Sequence, residues 1–157
     1  MEIKPLHLVP ELYRVLALWA YDEWYRGRSL EFDLVLHAFF ARTKDDSLPQ
    51  SFVAIENSTP VGMVTLKMDD LWSRQDLNPW LSSLYVHPGY RGQGIGNELV
   101  QSVISRAHGI GFPGCYLFLS QTHKEGLKEY YTKRGWEVIG EAPDNDGFQT
   151  QILRYNL

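Results

Sequence analysis

The chain has 157 residues, of which 44% are hydrophobic and 22% are charged, and its formal net charge is −4 at pH 7. These values predict one folded domain over residues 1–157 and argue against intrinsic disorder. The single cysteine, Cys115, excludes an intrachain disulfide and a thiolate zinc cluster. The acidic balance and the lack of a basic run or a long apolar stretch argue against nucleic-acid and membrane partners. The amino terminus has no signal-peptide pattern, so we expect a cytoplasmic protein.

Two helices are predicted in the first 45 residues. Pro10 can occupy the first position of a helix that continues to about Tyr25 and ends at Gly27. Ser29 can cap a second helix that runs to about Arg42. The apolar residues of this second helix lie on two sides, which predicts burial between layers or beside a pocket.

Strands dominate after Pro49. Alternating or continuously apolar runs predict six strands, over residues 52–56, 61–68, 80–86, 115–119, 136–141 and 148–155. The first two should form a hairpin, and a polar loop should join the second to the third. A helix between the third and fourth strands should end at Gly109 and Gly111, and a capping box over 122–125 should open another helix.

This order of elements defines the expected fold. The strand–helix–strand segment over residues 80–119 predicts a right-handed parallel crossover, and the other pairings look antiparallel. We therefore predict an α/β (α+β mixed) domain with a central, mostly antiparallel sheet, one parallel β-α-β crossover and helices on both faces.

The segment Arg91-Gly92-Gln93-Gly94-Ile95-Gly96, the glycine turn, lies between a predicted strand and a predicted helix. Glycines let successive amides point inward, and a helix start behind them adds partial positive charge, which together suit a pyrophosphate. Arg91 can add a charged bond to a phosphate oxygen. The segment is neither a P-loop nor a dinucleotide fingerprint, because Asn97 and Glu98 follow it. Taken alone, it also fits a plain tight turn.

The stretch from Ser83 to Gly96 resembles the GNAT superfamily of acyl-CoA N-acyltransferases. The family signature is Gln or Arg, two residues, Gly, one residue, and Gly or Ala, and this segment fills it. A second hallmark is an aromatic pair, three residues, Gly and an aromatic, and the stretch from Tyr130-Tyr131 to Gly135-Trp136 is similar to it. The resemblance covers about residues 50–157, and the first 45 residues only by element order.

The resemblance implies that coenzyme A binds where the strand ending at Val86 splays from the strand beginning near Cys115. The pantetheine arm would pair with the backbone of Leu84, Tyr85 and Val86. One amide of these residues would meet the thioester oxygen. The glycine turn would hold the diphosphate, chiefly through its main-chain amides. Its residues are Arg91, Gly92, Gln93, Gly94, Ile95 and Gly96. Tyr131 matches the family position of the general acid. No metal is expected.

A general base is not evident. Many relatives place a Glu in the strand before the glycine turn, whereas this chain has Leu81-Ser82-Ser83-Leu84-Tyr85. A chain of waters, or an amine that arrives neutral, is the expected substitute. His87 precedes Pro88 in a turn and His123 lies in the capping box, so both are interpreted as local structural residues. Relatives often bind the pantetheine with an Asn where this chain has Thr122-His123, which leaves that contact open.

The predicted function is transfer of an acetyl group from acetyl-CoA to a primary amine by direct attack in a ternary complex. Acidic and aromatic residues lie in and after the loop before the third strand; they are Asp69, Asp70, Trp72, Asp76 and Trp80. They could line the mouth of a site for a cationic amine. Alternatively, the charges are solvated and one Trp lies in the core. A non-catalytic acyl-CoA-binding module and a nucleotide-phosphate binder are the alternatives. A homodimer is an expectation by family analogy alone.

Overall fold

A computed structural model describes residues 1–28, 30–120 and 125–157. Seven strands form a sheet in the order β1-β2-β3-β4-β5-β7-β6. The pair β4–β5 is parallel, and the pairs β1–β2, β2–β3, β5–β7 and β6–β7 are antiparallel. The predicted mixed, mostly antiparallel sheet with one parallel crossover is confirmed. The strands are β1 (Glu2–Pro5), β2 (Gln50–Glu56), β3 (Thr59–Lys67), β4 (Trp80–Val86), β5 (Gly114–Ser120), β6 (Glu137–Pro143) and β7 (Gln149–Asn156). The α-helices are α1 (Tyr13–Ala20), α2 (Phe32–Ala41), α3 (Ile95–Ile110) and α4 (Leu127–Thr132).

The amino-terminal part differs most from the sequence prediction. Strand β1 was not predicted, and it pairs with β2 from Glu2 opposite Ile55 to Pro5 opposite Phe52. The predicted helix over residues 10–25 consists of a 3-10 turn (Pro10–Leu12), α1 and a π-helical turn (Tyr21–Tyr25). The predicted cap, Ser29, lies outside the described residues, and α2 begins later than predicted.

Two turns follow the predicted glycine and hairpin chemistry. Asn57 and Ser58, with φ of 48° and 65°, form the two-residue hairpin between β2 and β3. Gly111, with φ of 107°, follows the last residue of α3. The prediction that Gly109 also ends this helix is wrong, because α3 continues through Gly109 to Ile110.

The chain divides into two compact units, and the first comprises Met1–Leu66 and Ser83–Val103. In this unit α1 and α2 pack on the sheet face that carries Val53 and Met63, which lie opposite each other in the β2–β3 register. Gly62 points to the other face because side chains alternate along a strand, and there it meets Leu99 of α3. Helices therefore cover both faces of the sheet in this unit, as predicted.

The second unit comprises Lys67–Ser82 and Ile104–Leu157. Its sheet is β6–β7–β5 with the start of β4, where Trp80 pairs with Tyr116. Trp80 is fully buried in a cluster with Leu71 and Ile152, and its indole N–H donates to the carbonyl of Leu77 at 2.7 Å. No helix in the described part of the chain has both the length and the apolar composition needed to cross a membrane.

Candidate functional site

The glycine turn contains two residues with left-handed backbone, a feature of anion nests. Gly92 and Gly94 have φ of 80° and 84°, a region that side chains rarely adopt, and a Cβ on either would meet nothing within 4 Å. The amide of Glu98 donates to the carbonyl of Gly94 at 3.2 Å and closes the first turn of α3. The amides before Glu98 at this helix start have no carbonyl four residues earlier in the helix to bond. An exposed, side-chain-poor turn therefore leads directly into a helix amino terminus.

The end of β4 lies beside this turn, and β3 is hydrogen-bonded to one edge of β4 there. The backbone N–H of His87 donates to the carbonyl of Val61 in β3 at 2.8 Å. Consecutive residues of a strand direct their N–H and C=O groups to opposite edges. The N–H groups of Val86 and Leu84 therefore point away from β3, toward the edge where a ligand could add as a strand.

Arg91 connects the glycine turn to this edge. Its Nε donates to the carbonyl of Val86 at 2.8 Å, and its guanidinium carbon lies 5.8 Å from the centre of the Tyr85 ring. Both contacts are within the first unit. The residue that sequence analysis assigned to the diphosphate thus contacts the end of β4.

A feature that sequence analysis missed lies in the middle of β4. Ser83 has φ of 54°, a left-handed conformation that is uncommon for a residue other than glycine. A left-handed residue in a strand interrupts the ladder and bends the strand. The parallel pair with β5 precedes Ser83, and the bond to β3 follows it.

A second missed feature is an aromatic and acidic surface on the α1 side of β4. The rings of Trp19 and Tyr85 lie 5.0 Å apart, and the π-helical turn that follows α1 carries Asp22 and Glu23. Burial raises the pKa of Tyr85, Arg91 lowers it, and the carboxylates of Glu23 and Asp22 raise it further. Arg91 and the two carboxylates therefore shift the pKa of Tyr85 in opposite directions. Asp22 is ion-paired with Arg26, whereas Glu23 has no ion pair within the described residues. The only sequence signal was a helix pattern running toward Gly27.

His87 has the local role that the sequence favoured. Its Nδ1 accepts from the backbone N–H of Gly89 at 3.2 Å and caps the 3-10 turn Pro88–Tyr90. With Nδ1 occupied as an acceptor, the neutral ring carries its proton on Nε2. His123 lies outside the described residues, as does Thr122.

Tyr131 belongs to the second unit and is buried on α4. Its ring contacts those of Tyr130 and Trp136, with centres 5.2 Å and 5.8 Å away. Gly135, with φ of 93°, ends the segment, and the amide of Trp136 donates back to the carbonyl of Tyr131 at 3.2 Å. Burial, and then Tyr130, raise the pKa of Tyr131 above its usual value. This packing explains an aromatic residue here by itself, so the proton-donor role continues to depend on the resemblance.

Of the two alternatives for the acidic loop before β4, the structure favours the solvated loop with a Trp in the core over the anionic mouth. Asp70 forms an ion pair with Lys67 at 2.8 Å, Asp76 forms one with Arg74 at 2.9 Å, and Trp80 is in the core. Of the residues named for this mouth, Asp69, Trp72 and Asp76 are exposed. Local cations therefore neutralise most of the negative charge that the sequence suggested.

Neither the cysteine nor a cluster of metal-ligating side chains supplies a further catalytic group among the described residues. Cys115 is fully buried in β5, and burial raises the pKa of its thiol to about 12. The thiol is therefore protonated at neutral pH and inaccessible to a substrate. Among the described residues, no three His, Cys, Asp or Glu side chains cluster as a metal site would require.

The model of the Acetyltransferase (GNAT) family matches residues 10–136, which is most of the chain. The chain belongs to the GNAT family of acetyltransferases. The match includes the glycine turn and reaches Trp136, so both sequence hallmarks lie within it. No curated protein has a sequence that matches this chain.

Solved structures agree with this assignment at the level of the fold. The crystal structure of aminoglycoside 6'-acetyltransferase type Ii has a TM-score of 0.76 and 18% identity, covering 99% of this chain and 97% of its own. The NatC complex bound to Gag peptide and CoA gives 0.72 and 19%, covering 100% and 99%. PaiA N-acetyltransferase from Thermoplasma acidophilum, in complex with coenzyme A, gives 0.68 and 19%, covering all of both chains. At these identities the likeness concerns the fold alone.

Proposed function

We propose that this GNAT protein is an acetyl-CoA-dependent N-acetyltransferase. The observation that carries the proposal is the pair of left-handed glycines, Gly92 and Gly94, placed before α3 and beside a strand end with outward N–H groups. Amides of the glycine turn would hold the diphosphate, and the β4 edge at Leu84 and Val86 would pair with the pantetheine. Solved neighbours that contain coenzyme A support the choice of coenzyme.

The reaction proposed is direct aminolysis of the thioester. The neutral amine nitrogen attacks the acetyl carbonyl carbon and gives up one proton to water, the carbon–sulfur bond breaks, and the leaving sulfur takes up one proton to become the thiol of coenzyme A. The Val86 N–H would donate to the oxygen as negative charge develops on it. The buried, protonated Cys115 provides no acyl-enzyme nucleophile, which supports attack within a ternary complex.

Tyr131 is proposed as the donor to the leaving sulfur. Its raised pKa keeps the phenol protonated through neutral pH, so its hydroxyl can donate a hydrogen bond to the thiolate as the bond to carbon breaks. The assignment rests on the aromatic-pair hallmark at Tyr130-Tyr131.

The acceptor proposed is a primary amine that carries a further positive charge. The partly buried rings of Trp19 and Tyr85 pack together on the α1 side of β4, and Glu23, which forms no ion pair within the described residues, adds negative charge near Tyr85. An ammonium group is attracted both by a carboxylate and by aromatic faces. Several solved neighbours are named as aminoglycoside acetyltransferases, and aminoglycosides are polycationic amines.

A non-catalytic acyl-CoA-binding module is the second candidate, and β4 favours it. Between Trp80 and Val86 the strand carries no carboxylate or imidazole, and Tyr85 is its one ionisable side chain. Such a module would bind coenzyme A and leave the thioester intact.

Two measurements test these proposals. Calorimetry with coenzyme A should give saturable binding for both candidates. A panel of amines that includes polyamines, aminoglycosides and peptides, mixed with acetyl-CoA, should release free thiol only if the protein is an enzyme. Absence of coenzyme binding would overturn both candidates, and binding without thiol release for any amine would favour the module.

A further inference from the structure

The contact between Arg91 and Val86 points to a role for Arg91 at the reacting end of the coenzyme. Val86 directs its N–H and its C=O toward the same edge of β4, away from β3. Arg91 Nε already donates to that carbonyl at 2.8 Å. The carbonyl is therefore already bonded to Arg91, while the N–H of the same residue faces the edge opposite β3.

An unoccupied carbonyl at this position would oppose the reaction. The thioester oxygen that accepts from the Val86 N–H becomes more negative as the amine attacks, and a neighbouring carbonyl oxygen would repel it. The Arg91 Nε–H that is bonded to that carbonyl offsets this repulsion. The peptide between Val86 and His87 is then held at both ends, by Arg91 at its oxygen and by Val61 at its nitrogen. The direction of the strand end is thus fixed before a ligand binds.

We propose that Arg91 is a positioning residue that holds the Val86 carbonyl beside the thioester oxygen, rather than a ligand of the diphosphate. The inference rests on the proposed function. The diphosphate would then be bound by the main-chain amides of the glycine turn alone. The side chain of Arg91 would link the position of that turn to the position of the β4 end.

Two substitutions separate the donor of Arg91 from its charge. In Arg91→Gln the amide nitrogen occupies the same position along the side chain as Nε, so a neutral donor remains where the bond is made. In Arg91→Lys the positive charge remains, but a carbon replaces Nε and the ammonium lies one atom further out. Both substitutions are at an exposed residue, and thermal melting checks that each variant is folded.

The readouts are coenzyme A affinity at two salt concentrations and the carbon-13 resonance of bound acetyl-CoA labelled at its carbonyl carbon. We expect the wild type and Arg91→Gln to share one bound carbonyl resonance and Arg91→Lys to shift it toward the free position. Both variants should bind coenzyme A within about threefold of the wild type. With an amine found active in the panel, Arg91→Lys should lower kcat about tenfold, more than Arg91→Gln does.

The opposite pattern would overturn the inference. If Arg91 binds the diphosphate, Arg91→Gln weakens coenzyme A binding and reduces its salt dependence, Arg91→Lys preserves both, and the carbonyl resonance does not move. Unchanged affinity and an unchanged resonance in both variants would also overturn it. Failure of the proposed function is distinct, because the wild type itself would then either fail to bind acetyl-CoA or bind it and release no thiol with any amine.

Discussion

The backbone N–H of His87 donates to the carbonyl of Val61 at 2.8 Å, and this bond decides which edge of β4 a ligand can use. Because strand residues alternate, the same bond directs the N–H of Val86 to the opposite edge. The residue after Val61 is Gly62. A side chain at this position would point toward the end of β4.

Gly62→Ala should therefore disturb β4 directly. A Cβ at this position would lie 2.9 Å from the backbone oxygen of Tyr85 and 3.1 Å from Cδ1 of Leu99, and the backbone oxygen cannot rotate away. We expect a loss of about 1–3 kcal/mol in the free energy of unfolding, measured by urea denaturation, because overpacking forces the strands apart. Gly140→Ala in β6 is the control, because a Cβ there meets nothing within 4 Å. Equal stabilities for the two variants would show that the contact with Tyr85 is not tight.

Strong local signals made part of the fold predictable. The bounds of β4 were predicted at Trp80 and Val86, because an apolar run ends at a proline that cannot join a ladder. The hairpin was predicted from the turn residues over 57–60, and its two left-handed residues are Asn57 and Ser58. The glycine turn was predicted from its three glycines.

Features that depend on distant partners were missed. Strand β1 is four residues long and contains Lys4 and Pro5, and only its pairing with β2 makes it a strand. Ser83 is left-handed although serine gives no signal for that conformation. Two alternatives stayed open for the acidic loop, because the sequence does not show that Lys67 and Arg74 pair with Asp70 and Asp76 once the chain folds. Glu23 was overlooked because nothing in the sequence indicates which helix turn lies near Tyr85.

Tyr131→Phe tests the proposed proton donor. The substitution removes one hydroxyl and retains the ring that packs on Trp136, so folding and coenzyme A affinity should be preserved. We expect kcat with the best amine of the panel to fall by about 100-fold or more, which is typical of losing a general acid. Tyr130→Phe is the matched control and should stay near wild-type activity. A Tyr131→Phe enzyme with full activity would show that this tyrosine is only a packing residue.

The pH dependence of Tyr131 has a definite sign. Its pKa is raised in the folded protein, so the folded state favours the neutral phenol, and this contribution is complete below the unfolded pKa of about 10. It is lost as the pH rises through the folded pKa. Wild-type stability should therefore decline more steeply above pH 10 than that of Tyr131→Phe, as measured by urea denaturation. Parallel declines would contradict the burial of this hydroxyl.

Glu23→Gln tests the acceptor preference. The probes are a diamine and a monoamine of equal length, 1,4-diaminobutane and 1-aminobutane, because they differ in the second ammonium group. We expect kcat/KM for the diamine to fall roughly fivefold, near the upper limit for an exposed ion pair, with little change for the monoamine. Coenzyme A affinity should not change. Glu11→Gln removes an exposed carboxylate elsewhere in the first unit and serves as the control. Equal losses for both amines would contradict recognition of the second charge by Glu23.

Coenzyme A binding to a Gly94→Glu variant probes the proposed diphosphate nest itself, because the substitution adds a side chain and a negative charge there. Gly94 has φ of 84°, so any side chain strains the backbone by about 1–2 kcal/mol, and the carboxylate repels a diphosphate. Gly94→Ala separates the strain from the charge. Gly109→Ala, inside α3 where a Cβ meets nothing within 4 Å, should bind as the wild type does.

Calorimetry should show saturable coenzyme A binding by the wild type and by Gly109→Ala, and a loss of at least about 100-fold for Gly94→Glu, with Gly94→Ala between them. Wild-type protein that does not bind coenzyme A, or a folded Gly94→Glu variant that binds it as tightly as the wild type does, would contradict the account.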